Sequence, residues 1–180
     1  MSIYHLIAER IGEHRLFEFA PSLGIPIRRI LISSDVKDLL GGNWISDEWE
    51  ERREGLRADL DHFSQGGMMN ATLPNPLKPY ERKDLARIRL LHRWAEEIWE
   101  VRSTHKNPDL SIRILGRFAA TDVFVALNWW KRPYLAEPTS RQWRDAKVDC
   151  KTKWDHLFHP YQPKSGVNLH DYISSKAILI

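Results

Sequence analysis

The sequence predicts an α+β fold: a small twisted antiparallel sheet packed against two N-terminal helices and a C-terminal helix. Three observations lead there. Residues 97–132, EIWEVRSTHKNPDLSIRILGRFAATDVFVALNWWKR, hold three apolar runs with strand periodicity, the pattern of a three-stranded meander. Ahead of them, RRILIS at 28–33 reads as a β-branched strand followed by two helical stretches. Behind them, SRQWRDAKVDCKTKWDHLF at 140–158 places Trp143, Ala146, Cys150, Trp154 and Leu157 on a 3.6-residue period.

Taken in order, IYHLIA (3–8) and RLFEFA (15–20) are short apolar runs that could form a hairpin, or a strand and a short helix. PSLGIP at 21–26 breaks the chain with two prolines and a glycine. After the strand at 28–33, Ser34 or Asp35 caps a short helix, DVKDLL, which Gly41 and Gly42 end. Ser46 begins a longer helix with Glu48 and Glu50 in its first turns, where negative charge suits the dipole. Trp49, Leu56, Leu60 and Phe63 share one side of it, and Gly66-Gly67 ends it. MMNATLPNPLKP at 68–79 has three prolines and reads as a connecting loop. Residues 84–94 have apolar positions at Leu85, Ile88, Leu90, Leu91 and Trp94, a spacing that allows a helix. The three meander strands centre on Trp99 and Val101, on Ile112 to Leu115, and on Phe124 to Leu127. Thr139-Ser140 caps the last long helix, and the tail ends in DYISSKAILI, a short helix or strand. The expected organisation is an N-terminal extension (1–25), a core domain (26–158) with its helices on one face of the sheet, and a C-terminal tail (159–180).

The 180 residues suffice for one domain with a real core. Hydrophobic content of 42% and charged content of 28% are those of an ordinary globular protein. Net charge is only +3, so inference about partners must come from where the charges cluster. Eight tryptophans are an unusual number, and each indole N–H needs an acceptor when buried. The single cysteine, Cys150, excludes an intrachain disulfide and a thiolate zinc site and fits a reducing compartment. The first residues lack the apolar run of a signal peptide, and no stretch approaches the ~20 apolar residues of a membrane span. A cytoplasmic protein that makes no membrane contact is expected.

Arg102, Arg113, Arg117, Lys131 and Arg132 stand at the starts and ends of the meander strands. A sheet bearing them suits a polyanion such as RNA or DNA. Each arginine alone reads as a solvated or edge charge that discourages aggregation. The runs RRILISSDVKDLL, EEIWEVR, SIRILGRF, VFVALNWWKR and PYLAEPTSRQWRDA, in this order and spacing, resemble the RelE/ParE toxin superfamily, most closely its HigB-like, phage-related branch. The resemblance covers about 26–158 and favours a less regular connection at 84–94.

It implies a RelE-like fold and the toxin of a type II toxin–antitoxin pair, acting as a ribosome-dependent mRNA endoribonuclease (an mRNA interferase) without metal or cofactor. The partners it implies are mRNA on the ribosome and a cognate helix-turn-helix antitoxin. ParE-like relatives act on DNA gyrase instead.

Metal-free RNA cleavage must deprotonate a 2′-OH, stabilise phosphorane charge and protonate a leaving 5′-oxygen. By resemblance, Arg113, Lys131 and Arg132 are the phosphate and transition-state contacts, and Arg102, Arg117 and Trp130 are RNA-binding. Where HigB-like toxins carry a histidine in the third strand, this chain has Asn128-Trp129-Trp130, and asparagine does not titrate. His105 and Tyr134, with His92, are the substitute proton-transfer groups, each with an ordinary reading as a loop or turn residue. The alternative is therefore a non-catalytic binding protein on the same fold, taking RNA, gyrase or a protein partner. A further reading is a regulatory protein in which an N-terminal hairpin makes a homodimer. His156 and His159, near Asp155, have metal-pair spacing but no third ligand, so no metal is expected.

Overall fold

The computed structural model describes residues 2–42, 47–72, 87–91, 96–102 and 111–179. In chain order the elements are α1 (Ile3–Gly12), β1 (Phe17–Glu18), β2 (Arg29–Ile32), α2 (Ser34–Gly41), α3 (Asp47–Ser64), β3 (Met69–Thr72), β4 (Arg87–Leu91), β5 (Ile98–Arg102), β6 (Ile112–Ala120), β7 (Val123–Lys131), α4 (Arg132–Leu135), α5 (Arg141–Phe158) and β8 (Ala177–Leu179).

The class is α+β, but the small antiparallel sheet with helices on one face is not what forms. One eight-stranded mixed sheet runs β1-β2-β7-β6-β5-β4-β3-β8. The meander β5-β6-β7 is antiparallel, while β2 joins β7, β3 joins β4 and β8 joins β3 in parallel. Helices cover both faces. On one, α2 and α3 bury Val36, Leu39, Leu56, Leu60 and Phe63 against Ile30, Ile114, Phe118 and Phe124. On the other, α1, α4 and α5 bury Leu6, Leu135, Trp143, Ala146, Cys150 and Trp154 against Leu31, Leu115, Val125 and Leu127. A sheet apolar on both faces needs two helical layers, because each buried large apolar side chain contributes ~1.5–3 kcal/mol only if water is excluded from it.

The reason the sheet is larger than expected lies in two segments. Residues 69–72 are a strand, not loop, and their Met69 and Ala71 are fully buried. Residues 87–91 are a strand, not a helix or an irregular connection. Ile88 and Leu90 enter the α2/α3 core while Arg89 is exposed, a period of two that the longer window 84–94 had masked. The remainder of both segments, 73–86 and 92–95, and with it His92, lies outside the described residues.

Other local expectations hold or shift by a residue. Between α1 and β1 the N-terminal alternatives resolve as a helix and a strand, not a hairpin. Arg10 Nε on α1 donates to the Leu157 carbonyl at 3.0 Å, tying this segment to α5. The α2 cap is Ser33, whose Oγ accepts from Val36 N at 3.4 Å, rather than Ser34 or Asp35. Ser140 caps α5 as expected, accepting from Trp143 N at 3.2 Å. The tail contributes a 3-10 turn at Leu169–Asp171 and the edge strand β8.

Candidate anion-binding site

On β5 the apolar residues Trp99 and Val101 face the α2/α3 core, so alternation turns Glu100 and Arg102 toward the α5 face. Ile112 and Ile114 likewise turn Arg113 to that face. The register then aligns them. Arg87, Arg102, Arg113 and Trp130 stand directly opposite one another across β4, β5, β6 and β7. The next row is Arg89, Glu100, Leu115 and Asn128. Three arginine positions side by side at a strand spacing of ~4.8 Å are an unfavourable arrangement unless negative charge lies among them.

Glu100 supplies part of that charge. It is fully buried, and its Oε2 accepts from Arg102 Nε at 2.8 Å. Its Oε1 lies 3.2 Å from Arg113 Nη1 in an ion pair. Arg113 is itself 6% exposed. A carboxylate shared between two guanidiniums satisfies the buried charges, which unpaired would each cost several kcal/mol. Arg89 is exposed and makes no hydrogen bond or ion pair among the described residues. Lys147 on α5 approaches Glu96 at 4.0 Å, and Glu96 is also 3.8 Å from Lys151.

A cavity of about 80 Å³ sits among these groups. Arg89, Leu91, Glu100 and Arg102 line it from the sheet, and Pro138, Trp143 and Lys147 from the start of α5. Trp143 is 6% exposed, and its buried indole N–H has no acceptor among the described residues. A buried donor left unmade costs ~1–3 kcal/mol. Trp130, half-buried beside Arg113 in the arginine row, has a second such indole N–H. Among the described residues the site thus holds an exposed guanidinium, Arg89, and two indole donors, Trp143 and Trp130, without acceptors, groups that suit an oxyanion.

The residues expected to form a catalytic centre divide among separate places. Arg102, Arg113 and Trp130 come together on the α5 face. Arg117 shares that face but is buried beneath α5: its guanidinium lies 5.5 Å from the Trp154 ring and donates to the Glu96 carbonyl at 2.5 Å. Burial lowers its pKa, with Cys150, Asp155, Glu97 and Glu96 opposing. Lys131 points to the opposite face, its Nζ 4.2 Å from the Trp49 ring. Arg132 opens α4 and donates from Nη1 to the Ala136 carbonyl at 2.5 Å. Tyr134 is 67% exposed on α4. His105 lies outside the described residues.

Asn128, where a catalytic histidine was expected, is buried and binds helix α5. Its Nδ2 donates to the Ala146 carbonyl at 3.0 Å and to Asp149 Oδ2 at 2.6 Å. A bulge makes this reach possible. Leu115 pairs with Asn128 and Gly116 with Ala126, so Leu127 is the extra residue and Asn128 turns toward α5 with it.

Sequence reasoning missed Arg89, Glu100, Lys147 and Trp143 as members of a site. The available signal was the alternation in ARIRLL, matched by IWEVR, which as paired strands puts Arg87, Arg89, Glu100 and Arg102 on one face. Read as a helix, 84–94 sends Arg87 and Arg89 in different directions. Among the described residues no cluster of His, Cys, Asp or Glu is placed to hold a metal ion, and no helix is long and apolar enough to cross a membrane. The chain matches no protein-family model, no curated protein and no solved structure.

Proposed function

We propose that this chain is an RNA-binding protein that holds the phosphate backbone of a single strand on the α5 face of its sheet, without cleaving it. The observation that carries this reading is the row of arginine positions Arg87–Arg102–Arg113 across three neighbouring strands, with Lys147 and the exposed Arg89 beside it and Glu100 and Glu96 as the carboxylates among the described residues. Three strands span ~10 Å, a width that suits one strand of nucleic acid better than a duplex. Trp130 adds an aromatic edge to the cationic track, the combination used for single-stranded nucleic acid. A cytoplasmic setting goes with this reading, as does a ribosomal source for the RNA.

Binding is favoured over strand cleavage because Lys131, expected as a transition-state contact beside Arg113, lies on the other face of the sheet, and Asn128, standing where a histidine was expected, is committed to α5. The endoribonuclease reading, with its helix-turn-helix antitoxin, therefore becomes the competing outcome of one experiment. The chain is expressed in cells, RNA is crosslinked and recovered, and mRNA 5′ ends are mapped. Recovered RNA with intact mRNA, reduced at least several-fold by Arg102→Ala, is the expected result. New codon-linked 5′ ends would instead establish an interferase. No recovered RNA, or recovery of DNA alone, would overturn RNA binding.

A further inference from the structure

We infer that the loop at 21–27, with the groove beside it, is the face through which two copies of this chain pair. The inference stands apart from the RNA-binding reading and uses none of its residues. PSLGIPI sets its aliphatic side chains in water: Leu23 is 77% exposed, Ile25 88% and Ile27 62%. Aliphatic residues scattered singly over a surface need no explanation, but three at alternate positions of one loop form a patch. Two hydrogen bonds tie this loop to the end of α3. Ser22 N donates to Asp61 Oδ1 at 2.6 Å, and Ile27 N donates to the Ser64 carbonyl at 2.9 Å. Between these ties Gly24 turns the chain at a φ of 74°, where an L side chain would be strained. A loop shaped before contact loses little freedom on binding.

The shape of the patch points to a second copy rather than to another protein. An open groove of about 680 Å³ runs beside the loop, with Phe19, Pro21, Pro26 and Val123 among its lining. Gly24 and Pro26 belong to that lining, whereas Leu23 and Ile25 stand outside it. The patch therefore carries a projection and a recess side by side. A two-fold contact uses one surface twice, so it needs both, each projection entering the recess of the other copy. A different partner would need only one of them. Charge agrees with this. The charged residues of the groove are paired within the chain, Glu18 with Arg29, and Asp122 with Arg28 at 3.8 Å. Facing copies then do not set unpaired like charges against each other. Strand β1 ends the sheet, and its Glu18 lines the groove, so a copy seated there also covers an open sheet edge.

The test is analytical ultracentrifugation of the full chain, freed of nucleic acid, from ~1 µM to ~1 mM, the range in which weak contacts dissociate. A reversible monomer–dimer equilibrium with a micromolar dissociation constant is expected, because a contact of one loop with one groove belongs among the smaller, transient interfaces. Leu23→Asp and Ile25→Asp are each expected to weaken pairing at least about tenfold, since the new carboxylate would be buried without a partner. Both side chains are exposed, so the core is spared, and an unchanged melting temperature checks this. Val148→Asp, at a 61% exposed position on α5 outside the patch, is the control and should pair as the parent does. A monomer across the whole range would overturn the inference and leave the patch to a different chain. A dimer that neither loop variant weakens would overturn it as well. Growth past the dimer with rising concentration would overturn the two-fold pairing, because a head-to-tail contact need not close.

Discussion

Glu97 enters β5 at a φ of 48° and is 4% exposed, with Oε2 accepting from the Tyr172 hydroxyl at 2.7 Å. Burial raises its pKa, while the Tyr172 hydrogen bond and the charge of Arg117 pull it down and lose. The Tyr172 phenol is also raised, by burial first and by Glu97 next. A carboxyl whose folded pKa exceeds its unfolded one stabilises the protein fully below the unfolded value and loses that contribution as pH rises through the folded value. Glu97→Gln keeps an acceptor for Tyr172 and removes the buried charge. The variant is expected to melt at a higher temperature than the parent at about pH 8, and at nearly the same temperature at about pH 4. Parallel pH profiles for the two proteins would contradict this. The neighbouring Arg117 shows why side-chain type alone misleads at this scale. Its guanidinium spends its charge on Trp154 and a carbonyl, and nothing in the pattern SIRILGRF separates it from Arg113, four residues earlier.

Hairpin β6–β7 is the element on which the site depends, and Gly116 is its tightest point. A Cβ there would lie 2.2 Å from the Val125 carbonyl oxygen and 2.5 Å from Phe124 Cζ. The backbone atom cannot yield, so the strands would have to part beside the bulge that turns Asn128 toward α5. Gly116→Ala is expected to destabilise the protein by ~3 kcal/mol or somewhat more, read as a lower urea midpoint, because overpacking against backbone lies at the upper end of its usual cost. A midpoint within error of the parent would show that the hairpin relaxes more freely than this contact implies. The neighbouring α5 was legible in the sequence from cap to end. Ser140, the 3.6-residue apolar stripe and the stop after Phe158 are local signals, and each is where it was expected. Strand β4 was not legible. Its alternation is only five residues long, and what makes it a strand is pairing with β5, a partner the window 84–94 does not contain.

Across the whole molecule, Arg28 joins segments far apart in sequence. It is 1% exposed and donates to the carbonyls of Phe63, Gly67 and Ser175, with Asp122 3.8 Å from Nε and its guanidinium 5.0 Å from the Phe63 ring. Burial lowers its pKa and Asp122 opposes the shift. One side chain thus fixes the start of β2, the end of α3 and the residues leading to β8. Arg28→Ala leaves three carbonyls without a charged donor and is expected to cost ~3–5 kcal/mol in denaturant unfolding, the range for breaking a buried charged network. The residues after Ser174 are expected to become sensitive to protease in the folded protein. Loss of stability without new cleavage near the C-terminus would show that β8 is held independently of Arg28.

The sequence by itself determined the α+β class, the strand at 28–33, helices α2, α3 and α5, the meander, and Arg102 and Arg113 as charges on one face of it. All of these follow from periodicity, caps and turns that act within a few residues. The tertiary structure decided the rest: the mixed eight-stranded sheet, helices on both faces, the removal of Arg117 and Asn128 from the surface, and the addition of Arg89, Lys147 and Trp143 to the site. The physical reason is register. Which side chains meet across a sheet is set by hydrogen bonds between strands distant in sequence, and a shift of one residue sends every charge to the other face.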